Sequence, residues 1–481
     1  MTTVTDTARR TFAGVLRRAE DKVGGAARLK IIVLLAAILA LDTGDKATVS
    51  AVAGSLKQAF HIGNTDIGIL IASVSFMGAA LTLPFGSMVD RINRTYVLTG
   101  AIALWAAAMV VSGTASSFTY LLVTRIFLGG VTAVASPAVA SLTGDFFPAR
   151  ERAKMYGWIL SGELIGTGIG FFFAGEISAL IDWHWAFYLM AIPSAALAFA
   201  IWRYLPEPQR GGQSWIGFGG GERQSTESEQ AQRKIRRAGI APREDLVLTR
   251  DPRRRSIWWV IRYLVRIPTY RLLVIASSLG YYFFAGIRGF AMIYLTEHYS
   301  VPRNTLSALA VVIGIGALVG VVAGGRLSRY MLDRGLIQAR VLVPGVVLFL
   351  STLFIGPAIW TTNVALGAGL FTIGAGLLAA ANPPIDAARL DIVHPLLWGR
   401  GESGRMALRA LLEGGAPILF GAVSGWLGGG EAGLKWTYLN MLVPVLAASA
   451  LAIPAYFSYP RDVATASASV ERLGEIGSRA R

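Results

Sequence analysis

Residues 85–100, FGSMVDRINRTYVLTG, and residues 324–335, GGRLSRYMLDRG, decide the architecture. Each begins where an apolar run of membrane-spanning length ends. Gly86 and Arg91 in the first stretch fall opposite Gly324 and Arg329 in the second. A repeat at the same place in two successive sets of spans marks a membrane fold made of two related bundles. In the second copy Ser328 stands where Asp90 stands in the first, so the two loops are charged differently.

Working outward, apolar runs of about 20 residues, the length that crosses a bilayer, recur on both sides. Six fall at about 31–55, 66–88, 95–115, 118–144, 154–178 and 184–204. Six more fall near 270–296, 304–328, 339–359, 362–384, 406–428 and 435–458. The expected fold is an all-α membrane protein with twelve transmembrane helices in two pseudo-symmetric six-helix bundles, residues 31–205 and 269–458. A basic tail (1–30), a linker (206–268) and a C-terminal tail (459–481) complete the chain.

Composition agrees. Of 481 residues 54% are hydrophobic and 15% charged, against about 25% charged in soluble domains. The 55 glycines suit a packed helical bundle. With no cysteine, disulfides, thiolate metal sites and cysteine nucleophiles are excluded. Four scattered histidines offer no metal-site spacing, so no metal is expected.

The net charge of +16 would suggest nucleic acid in a soluble protein. Here the basic residues sit in alternate loops: Arg91 and Arg94; Arg150, Arg152 and Lys154; Arg233 to Arg237 and Arg253 to Arg255; Arg326, Arg329, Arg334 and Arg340; Arg400 and Arg405. Intervening loops such as SGTASSF are nearly free of them. That is the positive-inside pattern, with both termini cytoplasmic, and it removes the case for a nucleic-acid partner. The N-terminus lacks the apolar core of a signal peptide; its Arg9, Arg10, Arg17 and Arg18 suit a short interfacial helix or a disordered basic tail. The linker starts polar and ends in RRRSIWWVIRYLVRIPTYR, the composition of a helix lying in the interface and stopped by Pro268.

The first span carries Asp42, Asp45 and Lys46, although ionised side chains at bilayer depth cost about 2.5–3.5 kcal/mol each on insertion scales. Lys46 is a candidate cation for Asp45, which makes that pair a proton-sensitive switch; alternatively Asp42, its i,i+4 neighbour, pairs with Lys46. That leaves Asp45 to take and release a proton, since a carboxyl in a low-dielectric interior resists ionisation unless a cation faces it. A static structural ion cluster is the alternative. Glu163, flanked by Gly162, Gly166, Gly168 and Gly170, is a further proton-coupling candidate or a packing salt bridge. Arg288, inside the seventh span, is placed to bind an anion or to serve an external gate. Arg409 and Glu413, again i,i+4, are expected to pair with each other. Asp386, Arg389 and Asp391 form a gate cluster after a helix broken at Pro383 and Pro384. His184 and His298 look isolated, which leaves no catalytic pair for an enzyme. There is no phosphate-cradling Gly-Lys-Ser/Thr loop for ATP, so no cofactor is expected.

GSMVDRINR resembles the loop signature Gly-x-x-x-Asp-Arg-x-x-Arg of the major facilitator superfamily. The resemblance implies a cytoplasmic gate built from Gly86, Asp90, Arg91 and Arg94, with Arg329 from the second copy. DKATVSAV, TRIFLGG, LTGDFFPARERAKM, GTGIG and DWHWAF resemble the Spinster branch over residues 35–212, with a weaker match beyond. Members of that branch are transporters linked to lysophospholipids and sphingosine phosphate. Asp45-Lys46 then fall on the branch's first-span Asp-Arg pair, which implies a protonation site at Asp45. Arg125 matches its fourth-span arginine and is expected to line the cavity, as a permanently charged fork for an anionic group or as a structural partner. A glutamate usual seven residues beyond that arginine is Thr132 here, which makes Thr132 a substrate-facing candidate and leaves a carboxylate to be found elsewhere.

The expectation is a proton-coupled secondary-active transporter of an anionic or amphipathic small molecule, lysophospholipid-like, in a bacterial plasma membrane. Its partners would be substrate, protons and membrane lipids, with the proton gradient as driving force. Rivals are efflux of hydrophobic cations, for which the run Tyr281, Tyr282, Phe283 and Phe284 is suited, symport of organic carboxylates, and a non-transporting sensor.

Overall fold

The computed structural model describes residues 20, 25–89, 92–147, 149–208, 234–235, 238–252, 255–299 and 303–479. Long helices dominate, and among the described residues there is no strand. The first set is α1 (Ala26–Phe60), α2 (Asn64–Val89), α3 (Arg94–Gly113), α4 (Phe118–Thr132), α5 (Ala135–Phe146), α6 (Ala149–Leu180) and α7 (Trp183–Tyr204). After the linker come α8 (Ile257–Arg266), α9 (Pro268–Tyr299), α10 (Arg303–Asp333), α11 (Ala339–Trp360), α12 (Val364–Ala380), α13 (Asn382–Ile392), α14 (Trp398–Trp426), α15 (Gly430–Ala450) and α16 (Ala452–Arg479).

Among the described residues, nine helical stretches are long and apolar enough to cross a membrane. The expected spans outside that set have identifiable reasons. α1 and α14 carry the ionised residues of the first and eleventh expected spans, and α4 breaks from α5 after Thr132. Starts are set by side chains. Asn93, Ser117, Asp182, Ser256 and Asn363 each accept a backbone N–H of the helix they begin, which satisfies an otherwise unpaired donor. α1 stops at His61, whose φ of 52° is left-handed. Pro383 and Pro384 open α13, as the sequence suggested.

Within the first half, Gly162, Gly166 and Gly170 of α6 lie against the backbone of Ala36, Ala40 and Gly44 of α1, where any Cβ would collide. The two halves meet along α1 with α9, α2 with α14 and α6 with α10. At the end carrying the 61–63 turn this seam is tight: Asn64 Nδ2 donates to Ser424 Oγ at 2.9 Å, and Gly68 abuts the Pro417 backbone. Lys57 Nζ lies 3.7 Å from Glu297 Oε1 at the same end.

At the linker end the halves repeat each other. Arg94, at the start of α3, pairs with Asp145 of α5 and donates from Nε to Glu207 Oε1 at 2.8 Å. Arg340, at the start of α11, pairs with Asp391 of α13, which also accepts from the Tyr459 hydroxyl.

One element differs from expectation. Residues 459–481 read as a tail, yet α16 continues as helix to Arg479. Its buried Asp462, Thr465 and Ser469 take hydrogen bonds from the linker: Arg243 Nε to Asp462 at 3.0 Å, Arg243 N to Thr465 at 2.9 Å, Leu248 N to Ser469 at 3.0 Å. Small polar side chains that satisfy another segment's backbone look like solvent-facing residues in sequence. In the second part of the linker, α8 buries Val260 and Leu264 and exposes Trp258. The N-terminal basic residues lie outside the described residues.

Candidate functional site

The first span's three charges separate into two pairs. Asp42 and Lys46 close an i,i+4 bridge at 2.8 Å, as their spacing predicts. Asp45, one residue from Lys46, points elsewhere: Arg125 of α4 donates through Nη1 to Oδ1 at 2.9 Å and through Nη2 to Oδ2 at 2.6 Å. Both side chains are 1% exposed. This parallel fork is the strongest geometry available to a carboxylate and a guanidinium. Asp45 thereby occupies both arms of the Arg125 fork. Among the described residues the Arg125 Nε, also buried, has no hydrogen-bond partner.

A second charge cluster spans the halves. Glu413 of α14 accepts from Arg409 Nε at 3.0 Å, the expected i,i+4 pair, and from Arg288 Nη2 of α9 at 3.2 Å. Arg409 lies over the Tyr281 ring, 3.5 Å from its centroid, and Arg288 lies 5.6 Å from that of Phe284. Lys46 is within electrostatic reach of Glu413 and Arg288 across the interface. Glu163 interacts at longer range with Arg409, Glu413, Asp42 and Lys46. Its backbone carbonyl accepts from Thr43 at 2.8 Å, but among the described residues its carboxylate makes no direct hydrogen bond or ion pair.

The remaining candidates divide. Thr132 Oγ1 donates to its own helix at Gly129 O and sits close to Gly78 of α2. Of the gate residues, Gly86 falls in α2, and Asp90 and Arg91 lie outside the described residues. Arg94 is buried in the hub with Asp145 and Glu207, while Arg329 is exposed near the end of α10. Asp386 and Arg389 pair at 3.3 Å; Asp391 belongs instead to the Arg340 hub. The aromatic run packs: Tyr282 and Phe283 are buried, and Tyr281 and Phe284 carry the two arginines.

Histidine isolation does not hold. His298 Nδ1 is 2.7 Å from Glu431 and its Nε2 is 2.8 Å from Thr361 O, while His184 pairs with Asp182. These partners are too far along the chain, or too near a loop, to stand out in sequence. The Lys57–Glu297 contact was missed for the same reason, although both are charges at the ends of apolar runs. Among the described residues no group of acids and histidines is placed to hold a metal.

The Major Facilitator Superfamily profile matches residues 33–396. "Protein spinster homolog 1" of Rattus norvegicus is 31% identical over 185 residues, which are 38% of this chain and 35% of that protein. Its Bos taurus counterpart aligns over 425 residues at 25% identity, 82% of this chain and 72% of the relative. "Uncharacterized transporter YybO" of Bacillus subtilis is 24% identical over 196 residues, 41% of this chain and 45% of that protein. The chain thus spans about a third to under half of the first curated relatives it matches. The crystal structure of a bacterial homolog to the human lysosomal transporter Spinster, inward-facing and occupied, superposes with TM-score 0.70 at 18% identity, over 90% of this chain and 98% of that one. Its unoccupied inward-facing form gives 0.71 at 18% identity, over 91% and 98%. These two likenesses establish a shared fold.

Proposed function

Because the chain belongs to the major facilitator superfamily, we propose that it is a proton-coupled secondary-active transporter working by alternating access. The substrate is an anionic or amphipathic small molecule of the lysophospholipid kind. Twelve spans, cytoplasmic termini and a place in the bacterial plasma membrane belong to the same proposal, supported by the basic residues in alternate loops.

The observation that carries it is the buried Asp45–Arg125 fork. A proton and Arg125 compete for one carboxylate. Protonating Asp45 leaves a buried guanidinium without its counterion, which is strongly unfavourable unless the helices rearrange to give it another. Proton binding is thereby tied to the relative position of α1 and α4. Coupling follows when substrate and proton each favour one conformer over the other. Asp42 and Lys46 sit close enough to alter that balance, and Glu163 interacts with both of them. Arg288 and Arg409 supply the anion-facing charges, which also favours a second reading, symport of organic carboxylates. Hydrophobic-cation efflux is disfavoured because the aromatic run is engaged in packing.

Proteoliposomes separate these readings. With Asp45→Asn, accumulation of labelled lysophospholipid under an imposed pH gradient is expected to vanish while counterflow persists. Retained gradient-driven accumulation would mean that Asp45 does not couple. Labelled dodecanoate and a cationic dye form the parallel arms for substrate class.

A further inference from the structure

Glu413 is held in an unusual way. Its two oxygens serve two guanidiniums, Arg288 at 3.2 Å and Arg409 at 3.0 Å, so the trio carries one net positive charge. Both arginines have a second support, since Arg409 rests on Tyr281 and Arg288 on Phe284. Cation–π contacts of this kind hold a guanidinium in place after an anion departs. Glu413 has no such second anchor among the described residues; its direct partners are the two arginines. All three side chains are only 13% to 18% exposed. Across the seam, Lys46 of α1 already interacts with Glu413 at longer range.

We propose that Glu413 is a tethered stand-in for the substrate's anionic group: it holds Arg288 and Arg409 until an incoming anion displaces it toward Lys46 in the other half. This rests on the anionic-substrate reading above and adds a mechanism to it. The two fixed guanidiniums form a ready site for a carboxylate or phosphate, which is what a bidentate arginine pair recognises. Once displaced, Glu413 has Lys46 of α1 within electrostatic reach, so occupancy by an anion creates a contact between the halves. The stand-in lowers apparent affinity, because anion binding requires the conformer in which Glu413 has left.

The test uses detergent-purified full chain and dodecyl phosphate, with dissociation constants from titration calorimetry. Glu413→Gln removes the competing charge at nearly constant shape and is expected to bind dodecyl phosphate about tenfold more tightly than wild type. Lys46→Gln is expected to weaken binding in the wild-type background and to change nothing when combined with Glu413→Gln. A merely structural glutamate would not produce that non-additivity. Glu413→Asp, too short to span both arginines, guards against a folding defect and should bind between wild type and Glu413→Gln. Equal or weaker binding by Glu413→Gln, with wild type binding well, overturns the stand-in and leaves the anion reading intact. No binding by either protein overturns both.

Discussion

Arg94 and Arg340 occupy equivalent places in the two halves, each at the start of the third long helix and each buried against an aspartate near the end of the short helix that follows the fourth, α5 or α13. A third partner closes each hub from beyond the sixth helix, Glu207 in one half and Tyr459 in the other. The repeat read in two loops is thus also a repeat of ion pairs.

Breaking either hub is expected to destabilise the whole bundle. Removing one member of a buried pair leaves an uncompensated charge, at about 3–5 kcal/mol. Arg94→Gln and Arg340→Gln should each lower the melting temperature of purified protein well below that of Arg326→Gln, which changes an exposed arginine. Melting followed by tryptophan fluorescence checks this, and equal melting of the three variants would contradict it.

Glu207 gives the hub a pH dependence. Burial opposes its ionisation, but hydrogen bonds from Arg94 and from the Thr95 N–H and hydroxyl outweigh that, and its carboxyl is held below the usual carboxylate range. A depressed folded-state value means stability that is present above the unfolded pKa, about 4.3, and is lost as pH falls through the folded value. Glu207→Gln should therefore be less stable than wild type at neutral pH, with the gap closing as the medium becomes acidic. A gap that stays constant with pH would exclude a titrating role.

Charge alone should not replace the Arg125 fork. Lysine offers a point charge on a flexible stem and cannot reproduce two parallel hydrogen bonds to Asp45. Arg125→Lys is expected to retain the folded helix pair yet lose most gradient-driven uptake in proteoliposomes. Near-normal uptake would reduce the fork to an ordinary ion pair.

What was legible in sequence follows from distance along the chain. Asp42–Lys46, Arg409–Glu413 and Asp386–Arg389 lie within one helical turn, so spacing alone pairs them. Asp45 and Arg125 were both recognised, but their union depends on how α1 packs on α4, which no local pattern records. The Arg288–Glu413 contact needs the two arrangements of α9 and α14 to be known together. The docking of residues 243–248 on α16 was hidden because serine and threonine that cap another segment's backbone have the composition of a solvated tail.

The seam between α2 and α14 offers the most direct test of alternating access. At the end carrying the 61–63 turn, Asn64 and Ser424 share a 2.9 Å hydrogen bond, and Gly421 leaves no room for a Cβ beside the Asn64 backbone. Opening that end requires these helices to part. The chain has no native cysteine, so a pair introduced at positions 64 and 424 is the sole route to a disulfide. Disulfides need Cβ atoms about 3.5–4.5 Å apart, a spacing compatible with two side chains already in hydrogen-bond contact. Asn64→Cys with Ser424→Cys is expected to cross-link under a mild oxidant, to bring transport close to background, and to recover on reduction. Ser55 and Ser178, whose hydroxyls are 3.1 Å apart within the first half, supply the control. Ser55→Cys with Ser178→Cys should also cross-link but leave transport largely intact, because α1 and α6 pack closely within the same half. Transport that survives the 64–424 cross-link would show that this seam does not open during turnover.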